Sequence, residues 1–181
     1  MQKRVFLLLL ASVLVSGCMS DQERIIANPA PDARIAEGER AAALCQQNMP
    51  NTAATETALI SSGFVKGKEE STGAGALNFA NSYTSADGTV VTTVGSQGSN
   101  EKLCLIRIAG MTPEQSVTLA QPWVQEYGAL TNAERGQGLS RDAAQAWGSV
   151  ESDRIIYISA IKNWRADEIP GGAVRMIHIQ R

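Results

Sequence analysis

Two stretches, Ser99-Asn100-Glu101-Lys102 and Ser159-Ala160-Ile161-Lys162, place a hydroxyl and an amine three residues apart. On a helix that spacing brings both side chains to one side, where the amine can take the proton of a nucleophilic serine. Here the first stretch lies in a turn-like segment and the second in a strand-like run, where positions i and i+3 face opposite ways. His178 is the only histidine. As a general base it needs an orienting partner, and none is identifiable from its neighbours. It alternates with Ile177 and Ile179, so with those isoleucines in a core it points away from that core. The acidic groupings Glu69-Glu70, Glu151/Asp153 and Asp167-Glu168 fit solvated loop and strand ends. No H-E-x-x-H, G-x-S-x-G or nucleotide-binding glycine loop occurs. With one histidine and no C-x-x-C, no metal site is assigned either. We therefore assign no catalytic residue, no metal ligand and no cofactor. The most suggestive feature is the connection from Asn163 to Gly172, whose Trp164 and Arg165 are of the types that anchor protein interfaces. Trp164 folded back on its own sheet is the alternative.

These residues need elements to hold them. Asp32 offers an N-cap for a helix to about Asn48, with Ile35, Ala42, Cys45 and Met49 at helical spacing. Pro50-Asn51 interrupts it, and a shorter helix follows from Thr52 to Ser61, with Gly63 as a left-handed stop. Strand-like runs come next at 77–84, 89–94 and 103–108. Asp87-Gly88 between the first two favours a tight type I′ hairpin. Thr112-Pro113-Glu114-Gln115 carries a capping box with proline at the first helical position. The helix it opens runs to about 127, with a kink or break expected at Pro122. Residues 128–140 read as a loop, 141–147 as a short helix, and 154–161 with 173–179 as a last hairpin. The fold class expected is α+β in two layers: an antiparallel sheet of about five strands covered on one face by helices. Cys104, Ile106 and Ile108 should lie on the covered face, because their alternates include Arg107, a charge expensive to bury. Ile177 and Ile179 should share that face, leaving His178 on the other. No internal repeat is evident.

The leader adds an address. Lys3 and Arg4 precede an apolar run from Val5 to Val15, and Ser16-Gly17 place small residues before Cys18. A run of this length is well short of the ~20 residues a membrane-spanning helix requires, and it fits an export signal. The stretch Val15-Ser16-Gly17-Cys18 resembles the lipobox of bacterial lipoproteins. The resemblance implies that residues 1–17 are a signal peptide and that Cys18 becomes a lipidated first residue. Met19, rather than an aspartate, follows it, and by the sorting behaviour of Gram-negative lipoproteins this implies the periplasmic face of the outer membrane. Residues 18–31, with Asn28-Pro29-Ala30-Pro31, read as a flexible tether, and residues 32–181 as a single globular α+β domain. Once Cys18 is consumed, Cys45 and Cys104 remain. An even pair in an exported chain fits a disulfide, and two separate buried thiols are the other possibility.

Without residues 1–17 the chain keeps 164 of its 181 residues, loses two of its 16 basic residues and none of its 18 acidic ones, and carries a net charge of −4. That balance gives no footprint for nucleic acid. The partners expected are the membrane, through the lipid anchor, and an envelope protein. Two functional classes follow: a membrane-anchored, non-enzymatic binding or scaffolding module of the cell envelope, or a small periplasmic hydrolase or peptidoglycan-active enzyme with a scattered site. A cleft holding His178 close to a carboxylate and a hydroxyl would favour the enzyme; a closed core and a flat apolar patch would favour binding.

Overall fold

A computed structural model describes residues 31–69, 79–97, 100–127, 131–132, 143–164 and 171–181. Three helices form close to where the local signals place them, although Asp32 is not the N-cap expected: it lies in the first turn of a helix that already includes Pro31. α1 spans Pro31–Asn48 and α2 spans Thr52–Ser61. Between them the Asn51 side chain accepts from the Ala54 N–H at 3.1 Å, satisfying a donor at the start of α2. Gly63, at φ +91°, ends that segment in the left-handed region glycine adopts freely. α3 spans Pro113–Glu126 behind a capping box. Thr112 Oγ1 accepts from Gln115 N, and Gln115 Oε1 accepts from Thr112 N at 2.8 Å. Pro122 does not divide this helix: α3 continues through it to Glu126.

The strands number more than the sequence implied. β1 (Val65–Glu69), β2 (Phe79–Thr84), β3 (Val90–Gln97), β4 (Glu101–Ala109), β5 (Thr131–Asn132), β6 (Ala143–Val150), β7 (Arg154–Trp164) and β8 (Gly171–Gln180) form one sheet. Its order is β1-β2-β3-β4-β8-β7-β6-β5, and every pairing is antiparallel. The sheet thus has eight strands rather than about five. Residues 143–147, read as part of a helix, belong to β6, where pairing with β7 overrides the weak helical pattern of Ala-Ala-Gln-Ala-Trp. Thr131–Asn132, read as loop, pair with Trp147 and Gly148. The β2–β3 connection is wider than a two-residue turn. Ser85 N donates to Val90 O, and Asp87 caps the loop by accepting from Thr89 N at 3.0 Å.

This order reads the same from either edge: helical structure then a four-stranded meander, twice, joined where β4 pairs with β8. Arg34 Nη1 donates to Ala109 O at 3.3 Å, and Cys45 is bonded to Cys104, so α1 runs antiparallel to β4. α3 returns from the end of β4 and packs on β6, β7 and β8. The two helices therefore run the same way, with their C-termini at one end of the sheet. Trp123, fully buried, ties them together by donating Nε1–H to Ala42 O at 3.0 Å.

Register decides the faces. Cys104 pairs with Met176, Ile106 with Val174, and Ile158 with Met176. These residues form a core with Cys45, Leu59, Leu119 and Trp123 from the helices. Cys104, Ile106 and Ile108 do face the helices, and Arg107 does not: its Nη2 donates to Thr93 Oγ1 on the other face at 3.1 Å. The second half of the expectation fails. Two-residue alternation from Met176 puts His178 on the helix face, while Ile177 joins Leu103, Leu105, Ile161 and Ala173 in a separate cluster opposite. That opposite face is not a wet surface at its centre, since Leu103 and Leu105 are each 5% exposed. Arg175 lies among them with Nε donating to Ser159 Oγ at 3.3 Å; burial lowers its pKa and Glu101 offsets part of that effect.

α1 lies close against the sheet at Gly38. A Cβ added there would overlap Ile108 Cδ1 and stand 3.1 Å from Ile108 Cγ1, and Ile108 is buried. Gly38→Ala gains about 0.5–1 kcal/mol in helix propensity but overpacks the interface at a cost of about 1–3 kcal/mol. We expect a net loss of stability of about 1 kcal/mol and a larger loss for Gly38→Val. A denaturant midpoint for Gly38→Ala above that of the unsubstituted protein would contradict the packing.

Candidate functional site

The parallel course of α1 and α3 opens a cleft where both helices end. It has a volume of about 400 Å³. Gln46, Gln47, Met49 and Pro50 from the end of α1 form one wall, and Glu126 and Tyr127 from the end of α3 the other. Lys102 of β4 and His178, Ile179 and Gln180 of β8 form the floor; Asn100, Asp153 and Arg154 complete the rim. Gln46 Nε2 donates to Pro122 O at 3.3 Å, joining the two walls.

At its centre Tyr127 Oη and His178 Nε2 are 2.9 Å apart, with their rings edge to face at 5.5 Å between centroids. Met176 Sδ lies 3.2 Å from the same nitrogen. His178 is 7% exposed. Burial, reinforced by the positive charge of Arg154, lowers its pKa to about 4. Burial, with Glu126 adding to it and Arg154 opposing, raises the Tyr127 hydroxyl to about 12. Arg154 lies over the Tyr127 ring, 6.0 Å from its centroid, and donates Nε–H to Glu151 at 2.7 Å. Both groups of the pair are therefore neutral at pH 7. Tyr127 and Met176 are the hydrogen-bonding partners of His178 among the described residues, both through Nε2.

The cleft thus holds His178 beside a hydroxyl, with Glu126 and Asp153 elsewhere in its lining, as the enzyme alternative requires. An imidazole titrating near 4 is nevertheless a weak base at neutral pH, and among the described residues no carboxylate is hydrogen-bonded to it. The hydroxyl beside it is a phenol held protonated, and no serine, threonine or cysteine appears in the described lining. The lining otherwise offers amides and charges of both signs, with the buried His178 and half-buried Tyr127 able to orient a polar ligand. No group of three or more metal-ligating side chains occurs among the described residues.

Of the sequence-derived candidates, His178, Lys102 and Asp153 meet in the cleft and the other described ones do not. Ser159 is buried on the face away from the helices and accepts from Arg175, while Lys162 is exposed, so the Ser159–Lys162 spacing forms no dyad. Glu151 is occupied by Arg154, and Asp153 lines the cleft, while Glu70, Asp167 and Glu168 lie outside the described residues. Trp164 ends β7 with its backbone paired to Gly171; its side chain, Arg165, Ser99 and Cys18 lie outside what the structure describes. Tyr127 was missed as a functional residue because its spacing marks it only as one more apolar position on α3. No protein-family model, curated protein or solved structure matches the chain.

The neutral His178 predicts a pH dependence. Its folded pKa of about 4 lies below the unfolded value of about 6.5. The unfolded chain then binds the proton more readily, so stability is full above pH 6.5 and falls as pH drops toward 4. Between pH 7 and pH 5 we expect a loss of about 1–2 kcal/mol from this group. His178→Gln should flatten that slope, measured by urea midpoints at the two pH values. An unchanged slope would show that His178 does not titrate as described.

Proposed function

We propose that this chain is a membrane-anchored lipoprotein of the cell envelope, held through Cys18, whose folded domain binds a partner in the cleft between the ends of α1 and α3. The observation that carries the binding reading is the Tyr127–His178 pair: a buried imidazole and a half-buried phenol, both neutral and hydrogen-bonded to each other in a polar cavity whose described lining holds no serine, threonine or cysteine. On this reading α1, α2 and α3 form one layer over a face of the antiparallel sheet, supported by the core they share with Cys104, Ile106 and Met176. The anchor reading rests on the Lys3-Arg4, Val5–Val15 and Cys18 pattern, and the outer-membrane address on Met19. No helix among the described residues is long and apolar enough to cross a membrane.

Photo-crosslinking in the producing cell tests the binding reading. A crosslinking residue at Gln47, on the cleft wall, should give a discrete adduct, identified by mass spectrometry. The same residue at Glu39, exposed on α1 two turns earlier, should not. Tyr127→Phe, which removes the hydroxyl held by His178, should reduce the Gln47 adduct several-fold. Equal adducts from Gln47 and Glu39 would refute the cleft as the binding site. Turnover of an envelope substrate that is lost in His178→Gln would instead establish the hydrolase or peptidoglycan-active alternative.

A further inference from the structure

The cleft and the tether lie at opposite ends of the domain. α1 follows the tether directly at Pro31 and runs along β4. Arg34 meets Ala109, Gly38 lies against Ile108, Cys45 is bonded to Cys104, and Met49 reaches the cleft beside Lys102. The helix has 18 residues, which at 1.5 Å each separates its ends by about 27 Å. Turns mark both ends. The β2–β3 turn lies at the tether end, because Ala109 N donates to Thr89 O at 2.9 Å. The β6–β7 turn lies at the cleft end, because Arg181 N donates to Asp153 O at 2.9 Å and Asp153 and Arg154 line the cavity.

We propose that the cleft opens away from the anchoring membrane, so that its occupant is a polar, water-borne, peptide-like partner carrying charges of both signs. This rests on the lipoprotein reading above. With Cys18 lipidated, only 12 residues separate the anchor from Pro31, so the end of the domain where α1 starts stays nearer the bilayer than the end that carries the cleft. The lining agrees with such an occupant. Gln46, Gln47 and Gln180 offer amide donors and acceptors, and Lys102 stands with Asp153 as charges of opposite sign. Two helix C-termini converge there with no basic residue in the last turn of either, and their partial negative charge favours an amine on the partner. A surface made to rest on anionic headgroups would carry a cluster of basic residues instead.

Energy transfer in vesicles tests the orientation. Cys18 is consumed by the lipid and Cys45 is bonded to Cys104, so a single added cysteine can be labelled. Donors placed by Ala86→Cys, in the β2–β3 turn, and by Ser152→Cys, in the β6–β7 turn, are both at exposed positions. The lipidated full chain is reconstituted in phosphatidylethanolamine–phosphatidylglycerol vesicles carrying a headgroup acceptor. Transfer from position 86 should exceed transfer from position 152, because these turns lie at the two ends that α1 separates. Equal transfer, or more from position 152, would overturn the orientation while leaving the anchor intact. Failure of the lipid-extracted protein to associate with the vesicles would overturn the anchor and this inference together. Binding of the probe peptide Ala-Glu-Lys to vesicle-bound protein, weakened at least fivefold by Tyr127→Phe, supports the occupant proposed. No binding of that peptide, with binding of bare phosphatidylglycerol vesicles by the unlipidated Cys18→Ser chain, would replace the peptide-like partner with the lipid surface.

Discussion

Cys18→Ser should abolish stable membrane association, because the thiol sulfur is itself the acceptor of the lipid. The size of the effect follows from the chemistry of anchoring. Each buried methylene contributes about 0.8 kcal/mol, one acyl chain binds only marginally, and two or more bind stably. Serine at position 18 offers no thiol, so all of that energy is lost at once. The apolar run Val5–Val15 cannot replace it, since it is about half the length needed to span a bilayer. The measurement is fractionation after carbonate extraction, with intact mass to detect the acyl chains. The unsubstituted protein should sediment with membranes and float at outer-membrane density; the variant should appear in the soluble fraction. Equal sedimentation of the two would sink the lipoprotein reading, and recovery of the lipidated protein in purified inner membrane would refute the destination taken from Met19.

The helices were legible in the sequence because their ends carry local chemistry. Asn51, Gly63 and the Thr112–Gln115 box each satisfy or relieve backbone groups within four residues, so no distant part of the chain is needed to read them. The sheet was less legible, for a reason visible in β4 and β8. They are its central pair, and both of their faces are buried at the middle: Cys104 and Ile106 on one side, Leu103 and Leu105 on the other. Alternation tells inside from outside only where one face is wet. In Met176-Ile177-His178-Ile179 two isoleucines therefore looked like the core positions, and His178 was assigned to the wrong side. One pairing corrects it, since Lys102 opposite His178 shares its face with Cys104, but register between strands 70 residues apart is not a local property. The cleft was illegible for the same reason. Its walls come from positions near 47, 101, 127, 153 and 179, brought together only by the parallel course of α1 and α3. The edge strands β1 and β5, and β6 beside β5, escaped notice because their residues have little strand character of their own and are held by their neighbours.

Loss of the Cys45–Cys104 bond should be the most damaging change to the folded domain. The two Cα atoms are 6.3 Å apart, within the range a disulfide spans, and the bond closes a loop of 59 residues. Chain entropy for a loop of that size corresponds to about 4 kcal/mol, with 2–5 kcal/mol typical of native bonds that are removed. Total stability of a domain is about 5–15 kcal/mol, so the double variant Cys45→Ala/Cys104→Ala should melt about 8–16 °C lower. Dithiothreitol should lower the melting temperature of the unsubstituted protein by a similar amount and leave the double variant unmoved. A shift under 1 °C in the unsubstituted protein would show that the bond adds nothing to stability. The bond also has a position that matters to the cleft. Cys45 is adjacent to Gln46 and one turn before Met49, and Cys104 is two residues after Lys102. Both lining segments are therefore held at one distance by the sulfur bridge, and α1 has no other covalent tie to the sheet. Under reducing conditions that leave the domain folded, the Gln47 crosslink should weaken before secondary structure is lost. A crosslink yield that falls only in step with global unfolding would show that the bond supports the domain as a whole and not the cleft in particular.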